Sequence, residues 1–346
     1  MKIGFVNPYF DSFGGGERYA LTLASHWAKM HDVSIFWDDR TLLRQASLRL
    51  GIELSNVEVV PNVFRSRFSK YFKTATYDLL FVLSDGSIPM TLARHSILHF
   101  QVPFPRVPFP LVKRMLYQHI ICNSQFTKTH IDATIGKSAT VIYPPVPTDA
   151  FTFGKKSKII LSVGRFSSHF QAKKQEVLID MFKKGYRSGL FKDWKLFLAG
   201  GLLEPDEGYF EKLRRLAKGF PIEFYVNVDF NTIVSLYGQS MIYWHAAGFG
   251  EQDPARMEHF GISTVEAMAS GCIPVVYQAG GQSEIVKHGA SGYLWKTKEQ
   301  CLSYTHAVIK TARREELIRS AQKKANMFSV SVFTKKFDDL LSGITR

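Results

Sequence analysis

The sequence predicts an α/β protein of two doubly wound domains, and three observations carry that expectation. Short β-branched or apolar runs alternate with longer helix-like stretches from Ile3 onward. The alternation pauses at a stiff proline segment, Tyr143-Pro144-Pro145-Val146-Pro147, and then restarts. The length of 346 residues and the hydrophobic content of 45% suffice for two ordinary domains with real cores.

In the first half, strands are expected at residues 3–6, 33–37, 79–83, 96–100, 119–123 and 140–143, with a helix over about 17–29. Apolar runs bounded by turns and separated by helices indicate a parallel sheet covered on both faces. After the proline segment, strands are expected at 159–163, 194–199, 222–226, 241–245 and 273–277, alternating with helices at 175–185, 208–218, 231–238 and 264–269. A last helix is expected over 328–341. Two such Rossmann-like domains facing each other across a cleft are the natural assembly, with ligands outside the carboxyl ends of the strands. The boundaries fall at 1–148, 149–327 and 328–346.

The net charge of +14 is spread over both halves, +5 in residues 1–150 and +9 in residues 151–346. A basic surface attracts polyanions, but zinc-finger spacing, an RNA-recognition signature and a long basic arm are all missing, so nucleic acid is not the expected partner. Cys122, Cys272 and Cys301 are widely spaced and form no even disulfide set, which suits a reducing cytoplasm. The N-terminus lacks a secretory signal's apolar core, and no apolar run is long enough for a membrane span. The expected location is cytoplasmic, either free or peripheral on the cytoplasmic face of a membrane.

Chemistry concentrates in the segment from Glu258-His259-Phe260-Gly261-Ile262 to Glu266. Glu258 lies in a loop before a helix and Glu266 in its first turns, so both carboxylates can face one pocket, beside helix-start amides that favour an anion. Such a pocket offers acceptors for hydroxyls and donors for phosphate. A second element is Ser162-Val163-Gly164-Arg165-Phe166, which ends a strand, while Lys173-Lys174-Gln175 opens the next helix. An arginine and a lysine flanking one strand-to-helix loop can converge on a diphosphate and neutralise it without a metal ion; ordinary solvated surface is the alternative.

Between strand one and its helix lies Gly14-Gly15-Gly16-Glu17-Arg18, where glycines let backbone amides approach a phosphate or sugar. It is not a dinucleotide fingerprint, since Tyr19 replaces the third glycine. His99 ends a strand and is read either as a site residue or as a hydrogen-bonded histidine near the core. The histidines and cysteines show no metal-ligand spacing, and Asp38-Asp39 reads more simply as a helix cap than as a metal site. Residues 63–73, read as one helix, put Phe64, Phe68, Tyr71 and Phe72 on one side with Arg65, Arg67, Lys70 and Lys73 around them. With the aromatic and basic loop continuing through 104–114, that segment reads either as a surface for an anionic membrane or as an amphipathic helix packed into the first domain.

Taken together, the chain resembles a retaining glycosyltransferase of the two-domain GT-B type, glycosyltransferase family four (group one), over nearly its whole length. The motifs are the glycine loop at Gly14 to Glu17, Cys122-Asn123-Ser124-Gln125-Phe126-Thr127, Val141-Ile142-Tyr143-Pro144-Pro145-Val146, Gly164-Arg165 with Lys173, Glu258 through Glu266, and Gly280-Gly281-Gln282-Ser283-Glu284. Gly14 to Arg18 and Glu258 to Ile262 are most similar to α-1,2-mannosyltransferases that extend lipid-linked oligosaccharides, and to bacterial relatives.

The resemblance implies an N-terminal acceptor domain, a C-terminal donor domain and a last helix returning to the first. It implies that Arg165 and Lys173 hold the donor diphosphate, that Glu266 accepts from the ribose, and that Glu258 with Phe260, Gly261 and Ile262 holds the sugar. Gly15 and Gly16 would meet the phosphate or sugar, and His99 would stand beside the anomeric centre. The implied catalytic set is His99, Arg165, Lys173 and Glu258. The implied donor is a UDP- or GDP-sugar, with no metal required, and the acceptor a glycan or lipid-linked hydroxyl. Two departures stand out: a long Arg165-to-Lys173 loop, which allows Lys174 to replace Lys173, and an insertion-like stretch from Gly248 to Met257. A nucleotide-sugar epimerase and a non-catalytic nucleotide-sugar-binding protein at a membrane surface are the rival functions.

Overall fold

The structure, a computed structural model, describes residues 1–12, 14–66, 68–169 and 172–344. It divides into two compact units, one formed by Met1–Pro145 with Val330–Arg346 and the other by Val146–Ser329. The division falls inside the proline segment. In the first unit the strands are β1 (Lys2–Val6), β2 (Asp32–Phe36), β3 (Val57–Val60), β4 (Leu79–Ser84), β5 (His95–Phe100), β6 (His119–Cys122) and β7 (Thr140–Val141). They pair in parallel in the order β3-β2-β1-β4-β5-β6-β7. The chain winds outward from β1 to β3 and returns to β4 beside β1, so the topological switch lies between β1 and β4.

The helices of this unit are α1 (Gly15–Trp27), α2 (Leu42–Leu50), α3 (Ser69–Thr74), α4 (Leu111–Leu116) and α5 (Gln125–Ile135). Period-two alternation sends Leu79, Phe81 and Leu83 of β4 into a core with Leu21 and Leu23 of α1 and Ala46 of α2. Leu80 and Val82 enter the opposite core with Tyr117 and with Ile131 and Ile135 of α5. Every residue of β4 is buried, as a strand covered on both faces must be.

In the second unit the strands β8 (Ser157–Val163), β9 (Lys195–Gly200), β10 (Ile222–Val226), β11 (Ser240–His245), β12 (Ile273–Tyr277) and β13 (Tyr293–Trp295) form a parallel sheet ordered β10-β9-β8-β11-β12-β13. Its helices are α6 (Gln175–Arg187), α7 (Glu207–Ala217), α8 (Phe230–Gln239), α9 (Ile262–Ala269), α10 (Gln282–Ile285), α11 (Lys298–Lys310) and α12 (Arg314–Ala325). Here the switch lies between β8 and β11. Tyr243 pairs with Leu161, so His245 ends β11 level with Val163 and beside the turn to Gly164-Arg165. At this end β8 and β9 approach closely: a Cβ on Gly200 would lie 2.0 Å from the Gly164 carbonyl oxygen.

The final helix, α13 (Val330–Ile344), completes the first unit. Phe333, Phe337, Leu341 and Ile344 are buried in the core that α1 and α2 cover. The Phe337 ring centroid lies 5.9 Å from Tyr19, 5.8 Å from Trp27, 6.1 Å from Phe81 and 5.0 Å from Phe333, and Trp27 Nε1 donates to Asp338 at 3.2 Å.

The single helix expected over 63–73 does not form. Val63–Arg65 is one 3-10 turn, Ser66 is extended, and helix begins again only at Ser69. The cause is local: the Asn62 side chain accepts from Phe64 N–H, and the Ser66 hydroxyl accepts from Ser69 N–H, so side chains take the donors a continuous helix would use. Phe64 packs edge-on against Phe36 in the core, whereas Phe68 and Phe72 are 69% and 80% exposed. Arg67 lies outside the described residues. In the second expected segment, Val107 and Phe109 are buried, while Leu111 and Met115 of α4 are 74% and 71% exposed.

Because Phe337 joins four rings in a fully buried position, Phe337→Ala is expected to destabilise the first unit by about 3 to 5 kcal/mol. Urea unfolding of the variant against the parent reads that loss.

Candidate active site

At the switch point of the second sheet the structure brings together residues from three separate segments. Glu258 follows β11, and its carboxylate is 13% exposed. Lys173 Nζ donates to Glu258 Oε2 at 2.7 Å, and His245 Nε2 lies 2.9 Å from the same oxygen. Gln282 Nε2 is 3.4 Å from the other ring nitrogen of His245 and fixes the plane of the ring. Burial alone would raise the Glu258 pKa, but the Lys173 charge and the His245 contact outweigh it and hold the carboxyl well below its ordinary range. The backbone here is equally constrained. Gly281 N–H donates to the Glu258 carbonyl at 2.8 Å, and a Cβ on Gly280 would lie 1.9 Å from that oxygen.

Arg165 stands just beyond β8, exposed, and its guanidinium makes no hydrogen bond or ion pair among the described residues. Its backbone is held from behind: buried Gln175 donates to the Arg165 carbonyl at 2.9 Å and the Gly164 carbonyl at 3.3 Å, and Tyr209 donates to Gln175 at 3.1 Å. Of the two lysines, Lys173 meets Glu258, whereas Lys174 Nζ donates to Glu251 at 2.6 Å. The 248–257 loop therefore supplies a carboxylate to Lys174.

Helix α9 begins at Ile262, after Gly261 in a left-handed conformation with φ 118°. A side chain there would meet Gln282 Nε2 at 2.6 Å. Phe260 is buried against Phe328. Glu266, one turn into α9, accepts from the Tyr237 hydroxyl at 3.0 Å. Burial first and the Glu266 charge second push the Tyr237 pKa well up, so it remains a donor.

In the first unit, Gly15 and Gly16 open α1, Gly15 exposed and Gly16 half-buried. Glu17 folds back and braces the loop, accepting from Asn7 Nδ2 at 3.0 Å, Ser12 Oγ at 2.6 Å and Gly14 N–H at 2.7 Å. His99 lies near the end of β5, beneath the glycine loop. It is fully buried and stacked 3.9 Å from Tyr19. Its Nδ1 donates to the Ile121 carbonyl at 3.2 Å, and its Nε2 accepts from Gln101 at 3.0 Å. Burial lowers its pKa to about 3, so the ring is neutral. Gln101 is the group that faces the glycine loop, since a Cβ on Gly16 would lie 3.0 Å from Gln101 Oε1.

A cavity of about 310 Å³ opens at the carboxyl ends of β1 to β4, bordered by Asn7, Trp37, Asn62, Arg65 and Asp85. Asp38 pairs with Arg65 at 2.9 Å, and Asp39 accepts from Thr41 N–H at 2.8 Å as a turn cap. Among the described residues, no three His, Cys, Asp or Glu side chains cluster as a metal site requires.

Sequence reasoning did not single out His245, Gln101, Gln175, Tyr237 or Glu251. His245 carried a usable signal, because it ends an expected strand just as His99 does. Since the folded pKa of Glu258 lies below the ordinary value of 4.5, its contribution to stability is fully present above that value and is lost as the pH falls toward the folded pKa. On acidification from about pH 7 to about pH 3, urea unfolding is expected to show a steeper loss for the parent than for Lys173→Met.

The chain matches two family models. Residues 148–327 match the model "Glycosyl transferases group 1", and residues 13–150 match "Glycosyltransferase Family 4". The chain is 27% identical over 242 residues to the GDP-Man:Man(3)GlcNAc(2)-PP-Dol alpha-1,2-mannosyltransferase of Dictyostelium discoideum, covering 63% of this chain and 46% of that protein. It is 27% identical over 241 residues to the protein of the same name from Homo sapiens, covering 63% and 47%. The chain thus spans about half the length of these curated relatives. An Alpha-1,3/1,6-mannosyltransferase ALG2 of Candida glabrata is 26% identical over 83% of this chain and 78% of its own. Among solved structures, Anabaena HepE in complex with UDP and glucose superposes with a TM-score of 0.74 at 21% identity, covering 99% of this chain and 100% of that one. A glycosyltransferase from Rickettsia africae superposes with a TM-score of 0.78 at 16% identity, covering 100% and 98%. These likenesses show the fold, two parallel-sheet α/β domains of the GT-B type. With its family model covering residues 148–327 of 346, the chain belongs to the group 1 glycosyltransferases.

Proposed function

We propose that the protein transfers a hexose from a nucleoside diphosphate sugar to a hydroxyl of a glycan or lipid-linked acceptor, with the anomeric configuration kept. The observation that carries this reading is the Lys173, Glu258 and His245 cluster at the switch point, with Arg165, unpaired among the described residues, on the adjoining turn. Arg165 and Lys173 are the two cations for the diphosphate, and no metal ion is assigned a part. Lys173 turns from Glu258 to the phosphate, and Glu258, still held by His245, accepts from a sugar hydroxyl. Glu266, steadied by Tyr237, accepts from the ribose.

As the bond between C1 and the phosphate oxygen breaks, positive charge spreads onto the ring and the cations take up the charge of the leaving diphosphate. The acceptor hydroxyl forms the new bond on the face the diphosphate leaves, and its proton passes to the departing phosphate oxygen. The likeness to mannosyltransferases named for GDP-Man supports GDP-mannose as the first donor to test, ahead of UDP-sugars.

The first-unit cavity supports the acceptor role of that domain, since Trp37 offers a ring face to a sugar while Asn62, Arg65 and Asp85 offer polar groups. His99 acts through Gln101 rather than at the anomeric carbon. A peripheral site on the cytoplasmic face of a membrane is supported by exposed Phe68, Phe72, Leu111 and Met115 with Lys70, Lys73 and Lys113 among them. The 89–94 loop ties the two helices that carry them, through Leu92 N–H to Thr74 and Tyr117 O–H to Pro89. Among the described residues no helix is long and apolar enough to cross a membrane.

Arg165→Ala and Lys173→Ala are each expected to cost about 2 to 4 kcal/mol in the transition state, read as kcat/KM with GDP-mannose or a UDP-hexose. Parent-like turnover in both variants would refute the assignment. Paired Phe72→Asp and Met115→Asp changes should weaken co-flotation with anionic liposomes and leave binding of free nucleotide unaltered; equal flotation would remove the membrane role.

A further inference from the structure

Lys174 is one of only two non-glycine residues with positive φ among the described residues, at φ 55° and ψ 41°. Any residue with a Cβ is disfavoured there, and glycine is the usual occupant. The position matters because Lys174 is the residue at which α6 starts: its carbonyl accepts from Val177 N–H at 3.0 Å, but its side chain caps nothing. Lys173, immediately before it, lays its stem over Gly164, where a Cβ would lie 2.6 Å from Lys173 Cγ. A relaxation of Lys174 to an ordinary backbone would therefore swing Lys173 away from both Gly164 and Glu258.

What holds Lys174 is Glu251. The pair is 2.6 Å apart, with side chains only 20% and 18% exposed. Glu251 reaches it from a tightly turned loop: Gly248 and Gly250 have φ 88° and 74°, and Glu251 N–H donates to the Gly248 carbonyl at 3.0 Å. The far end of the loop is tied as well, by His259 Nε2 donating to the Ala255 carbonyl at 3.2 Å. Burial lowers the His259 pKa to about 4, so that ring is a neutral donor. Arg256, 3.9 Å from the other Glu251 oxygen, is 63% exposed and adds little.

We infer that Glu251 is a positioning residue, which by binding Lys174 holds the left-handed start of α6 and so aims Lys173 at the point where Glu258 and the donor diphosphate compete for it. The 248–257 loop is then a brace for the donor site, and Lys174 contributes its backbone shape rather than its charge to the ligand. This inference rests on the donor-site reading above.

The test is calorimetric titration of UDP and of GDP into the full chain, paired with turnover of the sugar nucleotide the parent uses. Glu251→Gln should weaken binding of the diphosphate that the parent binds, and lower kcat/KM, by about tenfold or more. Adding Lys174→Gly to Glu251→Gln should return both to within about threefold of the parent, since glycine holds the left-handed conformation unaided. A merely structural ion pair would show no such rescue. Parent-like behaviour of Glu251→Gln, or a deeper loss on adding Lys174→Gly, overturns the inference; the second result would mean that the Lys174 charge touches the diphosphate. A parent that binds neither UDP nor GDP would instead sink the donor-site reading, and this inference with it.

Discussion

A carboxylate kept ionised while nearly buried is the constraint on which the second domain's site depends. Glu258 bears its charge at 13% side-chain exposure because Lys173 and His245 both meet one of its oxygens. Removing a partner from such a group leaves an uncompensated charge out of water, which is far costlier than losing a surface ion pair. The same arrangement makes the site responsive. Lys173 is already desolvated and aimed, so an arriving diphosphate needs to win only one lysine from one carboxylate that retains a second partner.

The fold supplies this constraint through its winding order. β8 and β11 are neighbours in space but 77 residues apart from the end of one to the start of the other (Val163 to Ser240). The reversal of strand order leaves room above their carboxyl ends, where Arg165, His245 and Glu258 gather. Glycines make the gathering tight. At Gly200 and Gly280 backbone segments approach to distances that no side chain permits. The site is thus shaped by main chain as much as by the charged groups that line it.

Much of this was legible in the sequence where the signal was local. The alternation of apolar runs and helices marked both sheets, and the proline segment marked the division between units, because each depends on neighbours a few residues apart. The edge strands β3 and β13, of four and three residues, were too short to register as runs. The roles of Glu251 and Gln101 were not legible, since each is defined by a distant partner; Lys174 and Glu251 are 77 residues apart. For His99 the sequence leaves two readings open, because nothing in its immediate neighbours reports depth; Tyr19 stacks on the ring and Gln101 bonds its Nε2 from outside the strand. The broken 63–73 helix failed for the opposite reason. Its hydrophobic pattern was sound, but Asn62 and Ser66 redirect the backbone donors within two or three residues.

The last helix has a consequence for how the molecule is made. The second unit is one continuous stretch, Val146–Ser329, whereas the first is assembled from both sides of it. During synthesis, Tyr19, Trp27 and Phe81 must therefore wait for Phe333 and Phe337 to leave the ribosome before their core can close. The later-encoded domain is able to finish folding first, and the earlier one spends the intervening translation with an aromatic groove uncovered, a window in which chaperone capture competes with aggregation.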